Sequence, residues 1–235
     1  ILKLISLLEI QQKEVAMKKY LDVLKKVNLF KGIDESDLLS LLACLSSKLE
    51  HYKKNEIVFM SGEAINSFGI VLSGEVQIVQ EDYYGNRSIL ARIGVGNLFA
   101  ESFACAQIEA LPVSVITTTE SDLLFIDCRK LAKPCATACA FHSRLIQNML
   151  HITAMKNISL TQKIEFISKR TTREKLLAYL SSEAQKAGSN RFSIPFNRQE
   201  LADYLSVDRS AMSAELSKLR KEGILNYNKN HFELL

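Results

Sequence analysis

The spacing of hydrophobic and polar positions passes through three regimes along the chain. Between Lys18 and Leu49 apolar residues cluster at helical intervals. Lys18–Val27 reads as a helix, and Asp34 to Asp37 opens a second with Leu38, Leu39, Leu41, Leu42 and Leu45. From His51 to Cys128 short β-rich runs take over: Ile57–Met60, Gly69–Leu72, Val76–Val79, Ser88–Ile93, Val113–Thr118 and Leu123–Ile126. Turn signals separate them, at Ser61-Gly62, Ser73-Gly74, Tyr84 to Asn86 and Gly94 to Gly96. Short strands at even spacing, with no helix between them, predict an antiparallel barrel or sandwich.

The third regime is helical. From about Ala136 to Ser168, Leu145, Met149, Ile152, Lys156 and Ser159 share one face at 4-3-4-3 spacing. Ile146, Leu150, Ile164 and Ile167 add a neighbouring apolar face. A helix of this length outgrows a small domain unless it packs on something else, and a second copy of the chain is the simplest partner. A helix buried against its own barrel would use one face; this one carries two. The first set, Leu145 to Ser159, is the expected dimer face.

Beyond a polar hinge, Ser168–Glu174, the spacing of Thr171 and Glu174 is that of a capping box starting a helix over Thr172–Lys186. Gly188 to Asn190 ends it, and Arg191–Ile194 is a short strand. Asn197 and Glu200 repeat the capping signature, opening a helix with Leu201, Ala202 and Leu205. Asp208 caps the next, Arg209–Lys221. Two short helices about so tight a turn form a helix-turn-helix. Leu201, Leu205, Val207, Met212, Leu216 and Leu219 supply its core, and Ala202 is small where the helices approach. The opposite face of the second helix presents Arg209, Ser210, Ser213, Ser217 and Arg220, short or polar groups suited to a major groove. Gly223–Tyr227 and His231–Leu235, joined through Lys229, read as a β-hairpin wing.

Charge supports this placement. The net +4 lies entirely in the last third: 13 Lys/Arg against 9 Asp/Glu from Gln162 onward, and 17 against 17 before it. The fold class is α+β, with residues 17–135 a β-roll sensor, 136–168 a long dimerisation helix and 169–235 a winged helix-turn-helix. Residues 1–16 read as an extension or artefact without assigned function. No stretch suits a membrane span or a secretory signal, and the cytoplasm is the expected compartment. Five cysteines without a dense framework argue against a secreted disulfide scaffold.

With these elements in order, the chain resembles the Crp/Fnr family of bacterial transcription regulators from Lys18 onward. FNRQELADYLSVDRSAMSAELSKLRKEGIL follows that family's helix-turn-helix without a gap. The segments SGEAINSFGIVLSGEVQIV and RIGVGNLFAES carry glycines where its cyclic-nucleotide-binding-type domain turns. The resemblance implies a homodimer on an inverted-repeat DNA site, a small-molecule effector, and RNA polymerase as partner. It also implies phosphate contacts from Arg198 and Gln199, and base-reading positions at Arg209, Ser210, Ser213 and Ala214. Members that respond to cyclic AMP carry glutamate at the position of Ser210 and arginine at that of Ala214, so a different operator is expected. Glu215 also stands where an apolar core residue is usual.

The sensor departs further. The resemblance places the effector pocket at Phe99, Ala100, Glu101 and Ser102, and at Leu111, Pro112 and Val113. Cyclic-nucleotide binders use a Gly-Glu pair for the ribose and an Arg-Ser pair for the phosphate; here Ala100-Glu101 and Leu111-Pro112 stand there. A phosphate buried without a cation costs several kcal/mol, and Pro112 has no N–H to offer. Cyclic AMP is therefore not the expected effector. The pocket either takes another ligand or is filled by side chains. Arg92, on a neighbouring strand, is an alternative cation.

Cys135, Cys139 and His142 share a helix face and are soft ligands for zinc, iron or haem, with Cys105 as a fourth. Metal or haem sensing, thiol redox sensing and plain packing of the cysteines stay open. The competing functions are a cupin-like enzyme and a structural dimer that does not bind DNA. The first lacks the histidine set such a barrel needs, and no nucleophile–base pair is visible, so the chain is not expected to be an enzyme.

Overall fold

The computed structural model describes residues 17–84, 87–132 and 140–235. They fall into two compact units that meet between Thr153 and Ala154, and each is considered by itself.

The first unit opens with a short helix, α1 (Leu21–Leu24), a 3-10 turn at Asn28–Phe30, and α2 (Glu35–Cys44). The continuous helix expected over Lys18–Val27 is thus interrupted. The second expected helix is present, and its apolar side, Leu38, Leu41 and Leu42, is buried.

Eight strands follow: β1 (Lys48–Tyr52), β2 (Ile57–Phe59), β3 (Ser67–Ser73), β4 (Glu75–Glu81), β5 (Arg87–Gly94), β6 (Leu98–Phe99), β7 (Ser114–Thr117) and β8 (Ser121–Asp127). They form two antiparallel four-stranded sheets, ordered β1-β8-β3-β6 and β2-β7-β4-β5. In β3, Phe68 to Leu72 form one continuous buried run, and Leu123 to Ile126 do the same in β8. Each apolar side chain in these runs, Gly69 having none, contributes roughly 1.5–3 kcal/mol by leaving water. Gly69 is required by packing: a Cβ there would lie 1.9 Å from the Phe99 ring. Gly74, at φ +80°, turns β3 into β4 with no room for a side chain beside Ser121.

One expectation fails here. A helix, α3 (Glu101–Ala106), does lie between the strands, after β6. Six residues are too few for helical periodicity to register in sequence. After β8 come α4 (Cys128–Ala132) and the long α5 (Ala140–Ile167).

Part of the expected dimer face of α5 is buried within the first unit itself. Leu145 and Met149 belong to the core of the first unit, with Ile152 packed against it. The Asn148 amide donates to the carbonyls of Leu29 at 2.8 Å and Lys31 at 2.9 Å on the same side. Lys156 and Ser159 are exposed polar groups on the continuation of that stripe. The uncovered apolar ridge is the neighbouring one: Ile146, Leu150, Leu160 and Ile164.

The second unit contains α6 (Thr172–Ala187), β9 (Arg191–Ser193), α7 (Arg198–Leu205), α8 (Arg209–Lys221), β10 (Leu225–Asn228) and β11 (His231–Leu234). Thr171 and Glu174 complete a reciprocal capping box, which lowers the Glu174 carboxyl below its ordinary range through the Thr171 N–H. Leu176, Leu180, Leu201, Leu205, Met212, Leu216 and Leu219 are essentially inaccessible to water. The three strands form one antiparallel sheet, β10-β11-β9.

Candidate nucleic-acid interface

Capping fixes both helices of the helix-turn-helix. The Asn197 side chain accepts from the Glu200 N–H at 3.0 Å while the Glu200 carboxylate takes the Asn197 N–H at 2.7 Å. Ser206, in the left-handed region at φ 52°, terminates α7. The Asp208 carboxylate then accepts from the Ala211 N–H at 2.8 Å. Its carboxyl sits below the ordinary range, held there first by the Ser210 hydroxyl and next by that N–H.

Glu215 has an explanation in long-range pairing. Arg173 on α6 reaches Glu215 at 3.2 Å and Glu222 at 2.6 Å, tying α6 to both ends of the recognition-helix segment Glu215–Glu222. The unusual glutamate is thus half of a clamp on α8, and its partner lies 42 residues away.

Four of the expected DNA contacts converge. Arg198, Gln199, Arg209 and Lys229 line one groove of about 580 Å³, together with Asn197 and Asn230. Arg209 and Lys229 are exposed. Arg198 is half-buried, with its guanidinium 4.7 Å from the Tyr227 ring centre and 5.1 Å from that of Phe232. Burial under the wing pulls its pKa below the ordinary arginine value, which still leaves it fully charged. Arg198 therefore has a second role that the sequence did not reveal: it pins the wing to α7. Gln199 donates to Asp203 at 2.9 Å.

The hydroxyls at the remaining expected positions on α8 are already engaged within the protein. Ser210 donates to Asp208, and Ser213 and Ser217 donate to the carbonyls of Arg209 and Ser213. Their hydroxyls retain accepting capacity only. Ala214 is exposed and offers a methyl group. Arg220 stacks on Tyr227 at 5.7 Å and borders a second cleft of about 560 Å³ with Arg191, Asn228 and His231.

In the first unit, the expected effector segments are mostly interior. Phe99, Ala100, Glu101, Leu111 and Val113 are buried, whereas Ser102 and Pro112 face solvent. Phe59, Phe99 and Phe125 form an aromatic cluster with ring centres 5.7 to 6.2 Å apart. Leu111 is held by reciprocal main-chain bonds with Gly62 and Glu63. Arg92 is exposed and extends toward Glu75 at 4.0 Å.

The soft-ligand set is not assembled as expected. Cys105 is joined to Cys128 in a disulfide and so is no thiolate ligand. Cys135 and Cys139 lie outside the described residues, and His142 is buried at the start of α5. Among the described residues no group of three or more His, Cys, Asp or Glu side chains could hold a metal ion. No helix among them is long and apolar enough to cross a membrane.

Comparison with known proteins agrees with this anatomy. Residues 49–137 match the cyclic nucleotide-binding domain, and residues 174–235 match the Crp-like helix-turn-helix domain. The transcriptional activator protein FnrL of Cereibacter sphaeroides is 24% identical over 183 residues, covering 74% of this chain and 71% of FnrL. Two solved structures share the fold. CprK complexed with OCPA has a TM-score of 0.61 at 14% identity, over 83% of this chain and 88% of its own. The c-di-GMP-responsive regulator CLP of Xanthomonas campestris has a TM-score of 0.54 at 19% identity, over 86% and 99%. With both domains present in this order, the chain belongs to the Crp/Fnr family and is a transcription regulator with a DNA-binding helix-turn-helix.

Proposed function

We propose that the chain works as a homodimer on an inverted-repeat DNA site, paired through α5 and controlled by an effector other than cyclic AMP. The observation that carries the dimer is the outer ridge of α5. Ile146, Leu150, Thr153, Asn157, Leu160 and Ile164 follow at intervals of four, three, four, three and four residues. Ile146 is 41% exposed, Leu150 69%, Leu160 60% and Ile164 61%. A heptad ridge of this kind matches its own copy in a parallel coiled coil. Thr153 fits such a seam because its hydroxyl already donates to the Met149 carbonyl at 2.9 Å. Asn157, facing its own copy, would fix the register and the two-stranded state at some cost in stability.

Two copies would present two grooves lined by Arg198, Gln199, Arg209 and Lys229, one to each half-site. RNA polymerase is the expected partner and the cytoplasm the expected compartment. The buried aromatic cluster and Leu111-Pro112 disfavour a cyclic phosphate in the roll.

Sedimentation tests the seam. The 26.4 kDa chain is expected to run at twice that mass, and a Leu150→Lys, Leu160→Lys double variant at the monomer mass with unchanged helical content. A double variant that stays dimeric would discard this ridge, and a wild-type monomer, even on DNA, would discard the dimer.

A further inference from the structure

We propose that Cys105–Cys128 is a reversible thiol–disulfide exchange site that clamps the effector segment, so that a dithiol reductant is one of the signals this regulator reads. The inference rests on the regulator reading above.

The bond joins two short elements at a sensitive place. Cys105 lies in α3, which begins at Glu101 within the expected effector segment, and Cys128 opens α4 directly after β8. The Cα atoms are 5.4 Å apart across 23 residues of sequence. Cys128 is anchored from the other side, where its N–H donates to the Asn66 carbonyl at 2.9 Å.

The helix α3 is short, and it sets Ala104 into the core of the first unit with Phe103 packed against it. It has six residues, well short of what sustains a helix in water. Ala100 at φ 61° and Gln107 at φ 52° bracket it, two non-glycine residues in the left-handed region. Only Glu101 and Ala104 are buried within it. A covalent tie in such a segment controls local order to a degree it would not in a strand of the core.

Access and compartment favour exchange over a permanent staple. Cys105 is exposed, while Cys128 is 7% exposed. A DNA-binding regulator works where the chromosome is, in a compartment kept reducing, and disulfides there are usually transient. A thiolate of the reductant attacks the sulfur of Cys105, the more exposed residue of the pair, forming a mixed disulfide and expelling the Cys128 thiolate, which takes up a proton. The second thiol of the reductant then displaces the Cys105 thiolate, which is protonated in turn. Two electrons and two protons pass to the protein, and the dithiol leaves as a disulfide.

The test uses the full chain in oxidised form, after dithiothreitol, and as Cys105→Ser. Thiol alkylation and peptide mapping report the bond, hydrogen exchange reports α3, and a duplex-binding titration reports function. Reduction is expected to expose both thiols and to lower amide protection across residues 101–108 by roughly tenfold or more. Residues 198–221 should exchange unchanged, and DNA affinity should shift by about fivefold or more, within the range of allosteric couplings. Cys105→Ser should behave as the reduced protein whether or not dithiothreitol is present. Free thiols in the air-oxidised protein, or exchange and affinity indifferent to reductant, would overturn the proposal. A chain that binds no DNA in either form would instead overturn the regulator reading, and alkylation with exchange would still decide the redox site.

Discussion

The two units of this protein contrast in where their information lies. The second unit is written locally. Its helices begin at caps three residues from their partners, Thr171 with Glu174 and Asn197 with Glu200, and its core repeats at helical spacing. The first unit is written at long range. Its central strands β3 and β8 are buried runs without alternation, and its decisive contacts join distant residues, as Gly69 meets Phe99 and Cys105 meets Cys128. Arg198, Gln199 and Arg209, the contacts that the family resemblance implies for DNA, line one groove of the second unit. In the first unit, Leu111 and Pro112 stand where the resemblance implies an Arg-Ser pair for a phosphate.

Substitutions can break this contrast, and the largest effect belongs to the core of the second unit. Leu216 is 1% exposed, and Leu216→Ala should cost about 2–5 kcal/mol. Differential scanning calorimetry should show the loss in a transition assigned to residues 154–235. An equal loss in both units would mean that they do not melt separately.

Next come the groove residues. Arg209→Ala should lose about 1–3 kcal/mol of discrimination at one base of each half-site. Arg198→Ala should weaken all sequences alike and flatten the salt dependence. It should also loosen the wing, seen as faster hydrogen exchange in β10, because Tyr227 and Phe232 lose their cation. If both variants changed specificity in the same way, the division into a reader and a positioner would fail.

A smaller effect tests the caps. Asn197→Ala should cost about 1 kcal/mol in urea titration, and Asn197→Gly less.

A pH effect probes the long-range network of the first unit. Asp122 accepts from Tyr20 at 2.5 Å and Ser73 at 2.7 Å, and meets His51 at 2.9 Å. Burial alone would raise its carboxyl, but the bonds from Tyr20, His51 and Ser73 outweigh this and bring it to about 2. His51 is raised above its usual value, first by its bond to Asp122. The carboxylate's contribution is complete above the unfolded value of roughly 4 and is lost as pH falls toward 2; that of His51 is complete below roughly 6.5 and fades as pH rises through its folded value. The first unit should therefore be most resistant to heat between about pH 4 and 6.5. Asp122→Asn should lower and flatten its pH–Tm curve, and a variant curve with the wild-type shape would remove this network from the account.

These particulars mark how far the residues alone could carry the reading. Helix α8 was predicted at its observed limits because Asp208 and the leucine spacing are local signals. Part of the expected dimer face of α5 instead turns inward, at Leu145 and Met149. Both faces repeat every three or four residues, and only contact with the roll decides that Leu145 and Met149 turn inward. Glu215 looked misplaced until Arg173 supplied its charge partner. Strands β1 and β6 and helix α3 escaped for a related reason: each is short, and each is fixed by neighbours distant in sequence.

The most direct measurement is selection of duplexes from a random DNA pool by the full-length protein. A dimer on DNA should enrich an inverted repeat whose half-site centres lie about 10–10.5 base pairs apart, one turn of the double helix. Enrichment of a single unrepeated half-site, or of no sequence at all, would contradict it.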